Sequence, residues 1–211
     1  MNRKETILLT EEFVREKLTD FDSAHDWWHV MRVRNIAKFI NEQEALADSF
    51  ILEIAALLHD ASDSKFTGTD AEMAQNAIAD FLTANGMAEI RDQVIEIIRN
   101  VSFSNKNPEG NLKDPVLLIL QDADRLDAIG AIGIARVFNY GGFRNNPIHI
   151  PDDQNAVKNQ SSITHFYDKL LKLKDLMNTP TAKLLAEERH AFLVKYLEQF
   201  CKEWDFGTNY R

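Results

Sequence analysis

One cysteine in 211 residues, Cys201, excludes an internal disulfide and fits a reducing compartment. It stands among Leu197, Phe200 and Trp204 near the end of a helical pattern, and reads as an ordinary buried thiol rather than a nucleophile. Basic charge is scarce as well: 24 Lys and Arg against 33 Asp and Glu leave a formal charge of −9. Non-specific binding to nucleic acid needs a basic face that releases counterions, so no nucleic-acid polymer is expected as a partner. A small phosphorylated substrate stays open, because a metal and a few local cations can reverse the field inside one cleft. No run approaches the roughly 18 apolar residues of a membrane span. Met1 to Thr10 holds no apolar core of the signal-peptide kind. A cytoplasmic location without a membrane partner is expected. Internal repeats, low-complexity tracts and convincing strand alternation are all missing.

What is present is helical periodicity over nearly the whole chain, with 45% apolar residues. At this length roughly 70% of the unfolded surface can be buried, so no structural metal is needed for stability. Thr10 is a candidate cap for a helix over Glu11–Leu18, and Asp22 or Ser23 for one reaching Ile40. Asp48 or Ser49 caps Phe50–Leu58, which is apolar almost all round and belongs in the middle of a bundle. Thr69 or Asp70 opens Ala71–Ala84, closed by Asn85-Gly86. Further helices are expected over Met87–Asn100, Pro115–Leu126, Ala128–Tyr140 and Ser161–Asn178. The last is Pro180–Trp204, with Thr179 as its cap. Pro115–Leu120 could be a strand by composition, but its helical neighbours favour a central helix. The expected fold is an all-α, single-domain helical bundle over 1–211.

Three segments carry the chemistry: His25-Asp26-Trp27-Trp28-His29, Leu57-Leu58-His59-Asp60, and Gln121-Asp122-Ala123-Asp124-Arg125-Leu126-Asp127. Each sets groups able to bind metal against an apolar helical stretch, where an unpartnered charge is expensive. Any one alone reads as a structural ion pair. Together they offer imidazole and carboxylate without thiolate, which suits a catalytic ion with an open position and not a closed zinc site. His59 and Asp60 are adjacent, so sharing an ion requires the helix to end there; Ala-Ser-Asp-Ser follows.

The order His29, His59-Asp60, Asp124 resembles the HD superfamily of metal-dependent phosphohydrolases, specifically its small single-domain bacterial branch. The likeness extends to Val-Met-Arg-Val after His29, to Asp63 and Lys65-Phe66 after the doublet, and to Asp-Ala-Asp-Arg-Leu-Asp-Ala-Ile-Gly. It continues into Ser161-Ser162-Ile-Thr-His165-Phe-Tyr-Asp-Lys169-Leu-Leu, and so spans Asp22 to Trp204. The resemblance implies metal ligands His29, His59, Asp60 and Asp124, with the ligand of the third segment at its Ala-Asp-Arg step. It places the HD-type core over about 22–140 and a C-terminal helical extension over about 158–206. Members with two metals carry extra histidines after the doublet; none occurs here between His59 and His149, so one divalent ion (Mn, Ni, Co, Fe, Mg or Zn) is expected.

With His59 and Asp60 at the reacting centre, Asp63 is the candidate general base or water holder. Lys65 is a candidate phosphate contact as a point charge. His25 lies four residues before His29 and is either a phosphate contact or a capping residue. His165 and Lys169, also four apart, face a cleft together or form a solvated stripe. Arg125 is a further candidate substrate contact, while His149 and His190 read as structural or exposed. Family substrates include nucleoside mono- and triphosphates, cyclic nucleotides and guanosine tetraphosphate. A nucleotide is favoured here because Trp27, Trp28, Phe66 or Phe103 could stack a base, although such aromatics also serve as core. Among nucleotides, a triphosphate cleaved to release pyrophosphate is the leading expectation. An exposed apolar helix face could also seat a homodimer. Two rivals remain: a helical module that binds metal or nucleotide without turnover, and a zinc peptidase, whose His-Glu-x-x-His helix His25–His29 superficially resembles.

Overall fold

The computed structural model of the protein describes residues 2–18, 26–61, 70–101, 113–150 and 161–204. Helix accounts for all regular structure among these residues; the segment after Pro115 is helical too. Contacts divide the chain into two units, Met1–Asp124 and Arg125–Arg211.

The first unit begins with α1 (Arg3–Lys17), α2 (Trp27–Glu44) and α3 (Ser49–Leu58). It continues with α4 (Ala71–Ala84), α5 (Ala88–Val101) and most of α6 (Pro115–Asp127). Helix α1 starts at Arg3 rather than after Thr10. Asn2 and Glu5 form a reciprocal capping box there, while Thr10 lies mid-helix and donates its hydroxyl to the Thr6 carbonyl at 2.9 Å. Helix α2 starts at Trp27, not near Asp22 or Ser23, because the Asp26 carboxylate accepts from the His29 backbone N–H at 2.8 Å and caps it. Of the two expected candidates, Asp48 caps α3, accepting from Phe50 and Ile51. Every residue of α3 from Leu52 to Leu58 is buried, which its almost uniformly apolar sequence requires. It packs on α1, α2 and α5, and Ile54, Leu57 and Leu58 join Val14, Val30, Ile78, Leu82, Val94 and Ile98 in one core.

Asp70 caps α4, and Gly86, at φ +77°, ends that helix in the left-handed region where glycine is favoured. Two side-chain bonds tie α6 to α5: Gln93 donates to Asp114 at 2.8 Å, and Gln121 donates to the Asn100 carbonyl at 2.9 Å. Asp114 also caps α6, accepting from Val116 at 2.8 Å.

The second unit holds the end of α6, then α7 (Gly130–Phe143), α8 (Ser162–Asp168), a 3-10 segment (Leu170–Leu176) and α9 (Pro180–Trp204). Thr179 caps α9, as expected. The single helix expected over Ser161–Asn178 is broken at Lys169, at φ −131° and ψ −60°. Three residues per turn bring Leu170 and Leu173, both buried, to one side of the following segment. Helices α7 and α8 approach closely at Gly141, where a Cβ would lie 2.1 Å from the Ser162 hydroxyl oxygen. Phe138, Phe166, Tyr196, Phe200 and Trp204 form a chain of ring contacts, with His149 edge-on to the last two. His149 is thus structural, and Cys201 is half-buried rather than buried.

Candidate metal centre

Helix termini bring the site together. His29 sits in the first turn of α2, His59 is the C-cap of α3, Asp60 follows it, and Asp124 lies on α6. The His29 and His59 Nε2 atoms are 3.3 Å apart. Asp60 spans both rings, with one oxygen 3.2 Å from His29 Nε2 and the other 3.4 Å from His59 Nε2. Asp124 Oδ1 is 3.6 Å from His29 Nε2. His29 is fully buried, whereas the Asp124 side chain is 34% exposed, so the imidazoles form the floor and Asp124 the rim.

These spacings fit a shared cation. Two donors each about 2.1 Å from one ion lie about 3.0 Å apart at a right angle and about 3.4 Å apart at a tetrahedral one. His59 Nδ1 lies 2.8 Å from the Ala56 carbonyl, which can only accept, so Nδ1 carries the proton and Nε2 keeps its lone pair for the cluster. Two imidazoles and two carboxylates, with no thiolate, make a donor set for a divalent ion such as Mn, Fe, Co, Ni or Zn. His29, His59 and Asp124 alone already offer ligand atoms within 4.8 Å of one another.

Helical phase sorts the three acids of the third segment. Asp122 is fully buried and is turned about 200° around α6 from Asp124. Asp127, also buried, accepts from Arg136 at 2.8 Å in the second unit, and Arg189 Nη1 donates to the Leu126 carbonyl beside it. Burial holds the Arg189 guanidinium below its ordinary pKa, a shift that the charge of Asp127 opposes. Arg125 donates to the Leu176 carbonyl. His25, Asp63, Lys65, Phe66 and Phe103 lie outside the described residues. His165 and Lys169 are exposed in the second unit, one turn apart, with the Lys169 N–H donating to the His165 carbonyl at 3.1 Å before the helix breaks. Chain around the His165 ring crowds it enough that desolvation first, and the Lys169 charge second, lower its pKa. Trp27 lies under the Arg15 guanidinium at 4.3 Å, while Trp28 is 66% exposed. The zinc-peptidase reading loses its helix, because α2 begins after Asp26 and that acid is used as its cap.

An all-helical unit in which His29, a His59-Asp60 doublet and Asp124 meet defines a class. The family model for the HD domain matches residues 27–129. The crystal structure of an HD-superfamily hydrolase from Bacillus thuringiensis superposes with a TM-score of 0.78 at 40% identity, covering 97% of this chain and 99% of that one. The chain belongs to the HD superfamily of metal-dependent phosphohydrolases. It is also similar to YpgQ of Bacillus subtilis, 43% identical over 196 residues that cover 90% of each chain. The crystal structure of YpgQ in complex with ADP superposes with a TM-score of 0.76, covering 93% of this chain and 97% of that one. Protein L803 of Acanthamoeba polyphaga mimivirus is 28% identical, covering 91% of this chain and 95% of that protein.

Proposed function

We propose that this protein hydrolyses a phosphoanhydride or phosphoester bond of a nucleotide, with one divalent ion held by His29, His59, Asp60 and Asp124. The observation that carries the proposal is the convergence of His29 and His59 Nε2, 3.3 Å apart, with a carboxylate reaching each ring. The nucleotide is supported by the ADP-bound crystal structure of YpgQ and by the exposed Trp28 beside His29, a surface on which a base can stack. Within nucleotides we favour a triphosphate with pyrophosphate as the leaving group, in the cytoplasm.

A bound divalent ion supplies positive charge that polarises a phosphoryl oxygen and acidifies water. The chain's own residues do the rest. Ala56 holds the His59 tautomer, Asp60 spans the two imidazoles, and Asp124 stands at the open side where substrate enters. We assign to Asp63 the holding and deprotonation of the attacking water. Lys65, with His25, is assigned to the phosphate oxygens, where compensating positive charge favours the transition state.

Nucleoside mono-, di- and triphosphates assayed with Mn, Co, Ni and Mg, phosphate and pyrophosphate being measured separately, test this reading. The expected result is metal-dependent turnover that His59→Ala and Asp60→Ala abolish without loss of helical circular dichroism. Full activity in either variant, confirmed free of metal, would sink the assignment; tight nucleotide binding without turnover under every metal would make the protein a binding module.

A further inference from the structure

A buried charge cluster sits in the most apolar helix of the first unit, where folding alone does not call for one. Helix α3 reads Ser-Phe-Ile-Leu-Glu-Ile-Ala-Ala-Leu-Leu, and Glu53 is its only charged residue, yet it is 9% exposed. Arg34 of α2 donates to Glu53 Oε1 from Nε at 2.7 Å and again from Nη2. Lys38 reaches the same oxygen at 3.3 Å, and Arg34 Nη1 donates to Glu11 of α1 at 2.7 Å. Desolvating such a pair offsets most of its attraction, and apolar residues of similar size often hold a fold as well or better. Direction is what the pair adds. Apolar helix faces tolerate sliding, whereas a guanidinium bonded to a carboxylate holds its register.

Placement gives that direction a use. Helices α2 and α3 run antiparallel, and their contacts climb one helix while descending the other. Asn41 meets Ser49 at 3.2 Å, Lys38 and then Arg34 meet Glu53, and His29 meets His59 at 3.3 Å. Asn41 pins the loop end, donating to the Ala47 carbonyl at 3.0 Å and accepting from the Ala47 N–H at 2.9 Å. The short loop that joins the two helices lies at the opposite end from the histidines. Arg34 stands about 7.5 Å along α2 from His29, and Glu53 about 9 Å along α3 from His59, at about 1.5 Å per residue. A slip of one residue would move one imidazole about 1.5 Å along the axis relative to the other, a displacement close to half of their 3.3 Å separation.

We infer that Arg34 and Glu53 are positioning residues whose cross-link sets the register of α2 against α3 and so holds His29 and His59 at the spacing one ion requires. This rests on the reading of the cluster as a metal site.

The test is Mn2+ affinity of the full-length protein, read from the electron paramagnetic resonance of free Mn2+, alongside thermal melting. Arg34→Met with Glu53→Leu is expected to melt close to the parent or above it while its Mn2+ Kd weakens by about tenfold or more. Arg34→Lys, which keeps the charge and loses the planar fork, is expected to weaken binding as well. An unchanged Kd in the folded double variant overturns the inference and leaves the pair a structural role only. Should the double variant fail to fold, Arg34→Lys decides: weakened binding sustains the inference and unchanged binding overturns it. A parent protein that binds no Mn2+ at all would remove the metal reading itself, a result distinguishable from equal binding by parent and variants.

Discussion

His165 gives up its proton more readily than an isolated imidazole, because partial burial and the Lys169 charge both disfavour its cation and only Asp168 opposes them. The folded chain therefore binds this proton less tightly than the unfolded chain does. The associated stability is complete above the ordinary value of 6.5 and is lost as pH falls below it toward the lower folded midpoint. At neutral pH the ring is neutral, so toward a phosphate it offers a hydrogen bond and not a charge. NMR titration should place its midpoint below 6.5, and Lys169→Gln should raise it; a midpoint that Lys169→Gln leaves in place contradicts the electrostatic account. Ala45 offers a second test. It ends α2 at φ +52°, donating to the Asn41 carbonyl at 2.8 Å in a conformation that favours glycine. Ala45→Gly should raise the free energy of unfolding by about 0.5–1 kcal/mol, read from urea denaturation; a fall would show that the lost methyl contributes more than the relieved strain. At this scale the sequence spoke unevenly. His29, His59 and Asp60 stood out, but the choice among Asp122, Asp124 and Asp127 came from family resemblance. Helical phase and the Arg136 partner of Asp127 now supply the physical reason.

Element boundaries followed local chemistry where a cap was unambiguous. Thr179 was legible outright, and the pairs Asp48 or Ser49 and Thr69 or Asp70 narrowed the start to one residue; the structure uses the aspartate in each, whose oxygen reaches an unpaired backbone N–H. Two starts were misplaced, at α1 and α2, because several capping residues compete there and only the three-dimensional chain shows which carboxylate or amide meets a free N–H. The break at Lys169 was hidden for a different reason. Leucines three apart serve an α-helix or a 3-10 segment equally, and the core they enter makes the choice. Helix α3 was the most legible element, and its burial is easily tested. Leu57 is fully buried, so Leu57→Ala should destabilise the protein by about 2–5 kcal/mol in denaturant titration. A loss well below 1 kcal/mol would mean that the core closes around the missing atoms, against close packing at Leu57.

For the whole molecule, ion binding and folding are linked. An ion that binds only the folded chain stabilises it by about 2.7 kcal/mol at a hundred times its Kd. Mn2+ should therefore raise the melting temperature, a chelator should reverse the rise, and His59→Ala should abolish it; an equal rise in that variant would place the ion elsewhere. Helix α6 runs unbroken through the division at Asp124 and Arg125. We propose on that ground that both units unfold as a single domain, giving one calorimetric transition; two resolved transitions would separate them.

The sequence by itself determined that the chain is helical, where its most apolar helix lies, and which residue types are available to hold a cation. Those follow from periodicity, capping and donor chemistry, which act over a few residues. Only the tertiary structure decided that Nε2 of His29 and of His59 face each other, that Asp60 spans both, and that Arg34 grips Glu53. Residues 19 to 30 positions apart meet through the pairing of whole helices, and no local preference encodes the register of one helix on another.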